Sequence, residues 1–120
     1  VLIIKDIIWI SEEIGEADVV VTDGNYEITC FSHPFFQKKG EEVRGTISVF
    51  EYSNLERSEK TEYVVEHLGN GKYFLVGRLL DDIKGIVQIG EIYIHDIEEV
   101  PAGIKKGEYI QFTTLRVDLW

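Results

Sequence analysis

Residues 30–36, Cys30-Phe31-Ser32-His33-Pro34-Phe35-Phe36, hold the only cysteine of the chain and one of its three histidines. A Cys-x-x-His spacing can bring a thiolate and an imidazole onto one metal, but a structural zinc takes four ligands. His67 and His95 are the remaining candidates for such a site, and both are far away in sequence. Nothing else near Cys30 supplies a ligand pair, so the segment is read with Cys30 and His33 as weak metal candidates and with no cofactor implied. Covalent catalysis needs a nucleophile within hydrogen-bond reach of a base. Ser32 and His33 are neighbours, and in an extended chain neighbours point to opposite faces. No Gly-x-Ser-x-Gly elbow or catalytic Cys-Gly signature is present. Gly69-Asn70-Gly71-Lys72 is followed by Tyr73 and Phe74, which breaks both the phosphate-loop and the dinucleotide patterns. The reading leans away from an enzyme.

The same segment offers a second chemistry, which is contact. Phe35 and Phe36 follow a proline in an expected loop, and adjacent phenylalanines there must be buried or offered to a partner. Interfaces are enriched in aromatic residues. Phe31, His33, Phe35 and Phe36 are therefore the candidate binding residues. The 14 aromatic residues (2 Trp, 6 Tyr, 6 Phe) could also stack bases or sugars on a sheet face.

Charge narrows the partners. Twelve Lys and Arg stand against 22 Asp and Glu in 120 residues, a formal net charge of −10. Such a chain repels phosphate backbones and anionic lipid, so non-specific nucleic-acid binding and membrane attachment are disfavoured. Its acid is densest at Glu12, Glu13, Glu16 and Asp18, then at Glu56, Glu59, Glu62 and Glu66. An acidic face of this kind suits a basic protein partner. No apolar run approaches the roughly 20 residues of a membrane helix, and the first ten residues lack the form of a secretory signal. With a single cysteine, a cytoplasmic setting is expected.

The elements that position these residues read as all-β. Short stretches rich in Val, Ile, Tyr, Phe and Thr alternate with 11 glycines, and no linker or composition shift divides residues 1–120. Strands are predicted over 2–10, 17–22, 25–32, 43–51, 72–80, 86–95 and 109–119. The first hairpin turns at Asp23-Gly24. Polar residues 52–60 read as a loop. Residues 58–68 are ambiguous: Ser58 could cap a short helix, whereas Thr61, Tyr63, Val64 and Val65 favour a strand, which is preferred. Both faces of 86–95 carry apolar residues, so this stretch is predicted to be one central strand. An apolar edge strand at 2–10 would invite self-association.

Lys105-Lys106-Gly107-Glu108 enters the last predicted strand much as Lys38-Lys39-Gly40-Glu41 enters an earlier one. Residues 104–120 resemble the turn and final strand of oligonucleotide/oligosaccharide-binding (OB) barrels. That resemblance leans the expected architecture toward a small closed or nearly closed antiparallel barrel of seven or eight strands, ahead of a β-sandwich. The function expected is a non-catalytic binding or interaction module. An OB-type oligonucleotide- or oligosaccharide-binding barrel and an enzyme built on Cys30 and His33 are the alternatives.

Overall fold

The computed structural model describes residues 1–120 and contains no helix. Nine strands form one sheet: β1 (Ile3–Ser11), β2 (Glu16–Thr22), β3 (Glu27–Ser32), β4 (Ile47–Arg57), β5 (Val64–Gly69), β6 (Lys72–Asp81), β7 (Ile86–Ile89), β8 (Ile92–His95) and β9 (Tyr109–Leu119). The sheet runs β1-β2-β3-β9-β4-β8-β7-β6-β5, and β9 pairs also with β6. That last pairing closes β4, β8, β7, β6 and β9 into a five-stranded barrel. The predicted barrel of seven or eight strands is thus too large, because four of the nine strands lie outside the closed ring. β1, β2 and β3 extend the sheet as a meander, and β5 flanks β6.

Alternation explains the core. In β2 the residues Ala17, Val19 and Val21 are fully buried, as are Ile28 and Cys30 in β3, so one face of these two strands is covered. Leu75 and Leu79 of β6, Val87 and Ile89 of β7, Ile92 and Ile94 of β8, and Ile110 and Phe112 of β9 fill the barrel. The two sets belong to one continuous apolar cluster. Gly77 of β6 lets the barrel close tightly, since a Cβ there would lie 2.5 Å from Val87 Cγ1 and 2.7 Å from the Gln88 carbonyl oxygen.

Several boundaries differ from the sequence reading, each for a physical reason. The stretch 86–95 is a hairpin, with Gln88 paired to Tyr93 and Ile89 to Ile92. Its buried residues are odd-numbered before Gly90 and even-numbered after Glu91, because a two-residue turn reverses the phase of the alternation. Gly90 has φ 59°, which suits the first central position of a type II′ turn. The fourth strand starts at Ile47 and runs on through 52–57, since β9 pairs with it over that whole length. Before it, Gly45 takes φ 95° and the backbones of Thr46 and Trp120 exchange hydrogen bonds. Of the ambiguous 58–68, only 64–68 is strand, as β5 pairs antiparallel with β6, while 58–63 is neither helix nor strand. The first hairpin turns through the four residues Asp23–Tyr26, since Thr22 pairs with Glu27.

Candidate functional site

The strand that carries Cys30 separates the predicted ligands. Ile28, Cys30 and Ser32 point inward, and His33 lies exposed beyond the strand end. Burial pushes the Cys30 thiol far up from its ordinary range, and the carboxylates of Asp118 and Asp18 add to the effect. A thiol so buried is a poor nucleophile. Ser32 is also buried and donates its hydroxyl to the Leu119 carbonyl at 2.8 Å. His67 lies against Tyr73 with ring centroids 5.1 Å apart and planes tilted by 50°, and His95 ends β8. The chain gathers no group of three or more His, Cys, Asp or Glu side chains in metal-binding geometry. Cys30 and His33 are thereby corrected from metal candidates to a core residue and a surface residue.

The two phenylalanines part company. Phe35 is 4% exposed, its N–H donates to the Gly15 carbonyl at 2.7 Å, and its ring lies 6.2 Å from that of Trp9. Phe36 is 82% exposed. The Phe35–Gly15 bond holds the loop after β3, and with it exposed Phe36, against the β1–β2 hairpin end that carries exposed Ile10 and Ile14. Glu12 and Glu13 lie in the same turn. The outcome is an apolar tip set in acid.

Phe31 faces the other way, onto the outer surface of the sheet. Its cross-strand partners are Asp18 on β2 and Asp118 on β9. The Arg116 guanidinium lies 4.6 Å from the centre of the Phe31 ring and 4.3 Å from that of Phe50. It also donates two hydrogen bonds to Asp118, Nε to Oδ1 at 2.7 Å and Nη2 to Oδ2 at 3.1 Å. A planar cation held by two aromatic faces and a bidentate carboxylate is rigid. Asp18, on the other side of Phe31, has no such cation. Its carboxyl is raised above the usual range by burial and by the neighbouring Glu16.

Between the meander and the β5–β6 turn lies a cleft of about 390 Å³, whose walls include Ile8, Asp18, Thr29, Phe31, Asn70 and Arg116. Asn70 has φ 53° in the turn that brings it there, a conformation asparagine tolerates better than most residues. Of this cleft, the sequence singles out Phe31, His67 and, within its densest acidic run, Asp18. A signal for part of it was available, because Arg116 and Asp118 are two apart on a predicted strand and period-2 alternation allows them to share a face. Set against known proteins, the chain matches no family model, no curated protein and no solved structure, so its function must be argued from its own residues.

Proposed function

We propose that the protein is a non-catalytic interaction module that docks a basic, apolar protein segment on its tip. The observation that carries this reading is Phe36, 82% exposed and one residue past the Phe35–Gly15 bond that ties its loop to the β1–β2 hairpin end, which carries exposed Ile10 and Ile14. An apolar group left in water where its neighbour Phe35 is buried serves contact rather than the core. The acids of the same turn favour Lys or Arg at the rim of whatever covers it, and charge of this kind speeds encounter. Of the residues proposed from sequence, Phe36 is the central contact, with His33 beside it. Phe35 supports the loop from below.

A displayed library of random peptides tests the reading. The wild-type chain is expected to select peptides that combine apolar residues with Lys or Arg. The double variant Phe36→Ser/Ile10→Ser, with an unchanged circular dichroism spectrum, is expected to lose them at least tenfold. Selection that the double variant retains, or no selection at all, overturns it.

A second reading has one specific observation in its favour. Followed from β6, the barrel strands form a three-strand meander (β6, β7, β8) whose last strand lies parallel to β4, while β9 bridges β4 and β6 antiparallel. That is the pairing pattern of an OB barrel read in circularly permuted order, and OB barrels bind ligand across the second and third strands of that meander. The corresponding face here carries Arg78, Gln88 and Tyr93 in one cross-strand row. Fluorescence titration with single-stranded oligonucleotides at low salt and with neutral oligosaccharides tests it. Binding that Tyr93→Ala abolishes supports the reading, and no binding of either class overturns it.

A further inference from the structure

We infer that the cleft beside Asp18 is a specificity pocket that accepts a lysine side chain from the docked partner. The inference rests on the interaction-module reading and adds a partner residue to it. Three observations carry it.

The first is a broken symmetry on the outer sheet face. Phe31 has an aspartate directly across on each side, Asp18 on one strand and Asp118 on the other. Asp118 is matched by Arg116, which also lies over the Phe31 ring. Asp18 is half-buried, has neither a hydrogen-bond donor nor a cation against it, and is repelled by Glu16. A carboxylate withdrawn from water and left unpaired is unfavourable, and a cation entering the cleft relieves that cost.

The second is the supply of acceptors. Asp18, Thr29 and Asn70, which bear a carboxylate, a hydroxyl and an amide, are among the residues that line the cleft. An ammonium group carries three donors and no acceptor, which suits a wall made of such residues. The third is the apolar part of the wall. Ile8 and Phe31 suit a four-carbon stem. A guanidinium is a poorer occupant, because Arg116 already takes the stacking position between Phe31 and Phe50. Ile8 is itself exposed on β1 two residues before exposed Ile10, which puts a wall of the cleft and the hairpin end on the same strand.

The test uses Nα-acetyl-lysine methylamide as probe and the norleucine analogue as its uncharged control, each titrated into labelled full-length protein and followed by amide chemical shifts. The lysine probe is expected to move the resonances of Thr29, Phe31, Asn70 and Gly71, and the control to leave them in place. Asp18→Asn, which keeps the shape and removes the charge, is expected to weaken binding at least tenfold. Asn70→Gly keeps the turn, because glycine accepts its positive φ, and is expected to weaken binding severalfold. No shift at about 50 mM probe, equal binding by the norleucine analogue, or undiminished binding by Asp18→Asn overturns the pocket. The docking reading fails independently: peptides still selected by the Phe36→Ser/Ile10→Ser variant sink it, whatever the lysine probe does.

Discussion

Two aspartates that look alike in sequence sit in opposite environments, and each sets a pH dependence. Burial alone would push the Asp23 carboxyl up, but the backbone N–H groups of Glu91, Tyr26 and Asn25 donate to it at 2.7–2.8 Å and hold it below the usual range. Its stabilisation is therefore present above the unfolded value of about 3.9 and is lost as pH falls through the lower folded value. Asp23→Ala is expected to cost about 1–2 kcal/mol at neutral pH after allowance for solvent screening, with the gap narrowing in acid, as measured by urea melts at several pH values. Asp18 has the reverse sign. Its raised pKa means that ionisation opposes folding, so Asp18→Asn is expected to melt higher than wild type at about pH 7 and to match it below about pH 4. Cys30 supplies a third check: the native protein is expected to resist an aromatic disulfide reagent at about pH 8 and to react only at its global unfolding rate. Fast labelling of folded protein would contradict the burial of this thiol.

At the scale of elements, the sequence was informative wherever one face was apolar and the other polar. The alternation of 17–22 and the β-branched run of 64–65 were legible and lie in strands β2 and β5. The 86–95 stretch misled because a two-residue turn preserves local alternation while exchanging the faces, so a hairpin presents apolar residues at both parities. β4 misled for a different reason: its polar half is held by backbone bonds to β9, which side-chain hydropathy does not report. The candidate site was half-legible. Phe36 could be named because adjacent apolar residues in a loop need an explanation, whereas the Asp18 cleft joins β2, β3, β9 and the β5–β6 turn and exists only after the sheet is assembled. Gly77 marks the tightest approach between β6 and β7. Gly77→Ala is expected to destabilise by about 1–3 kcal/mol through overpacking against Val87 and Ile89, read from denaturant midpoints. A neutral effect would mean that β7 can give way.

For the whole molecule, charge separates two ways in which the tip could be covered. The chain is 46 Å along its longest axis and 25 and 24 Å across the others, and it carries a net charge of −10. Two copies meeting tip to tip bring like charges together, so any self-association is expected to strengthen as salt screens the repulsion. A basic partner behaves oppositely, and its affinity falls with salt. Sedimentation at about 0.05 M and 0.5 M salt, with and without a selected peptide, distinguishes the two by the sign of the change. β1 is also guarded against casual pairing. Its first half is covered where Ile4 exchanges backbone bonds with Gly40 and Glu41, a bulge separates Ile4 from Asp6, and the Asp6 carboxylate accepts the Ile7 N–H at 2.9 Å.

The closing role of β9 reaches into the birth of the protein. Of the nine strands it is the last to leave the ribosome, yet it pairs with β4, β6 and β3. Until it arrives, β4 and β6 have no partner on the edges it will fill, and the nascent barrel is an open sheet with its apolar interior in view. Pairings so distant in sequence slow folding to the range of milliseconds to seconds. During that interval the net charge of −10 works against contact between growing chains, because like-charged copies repel.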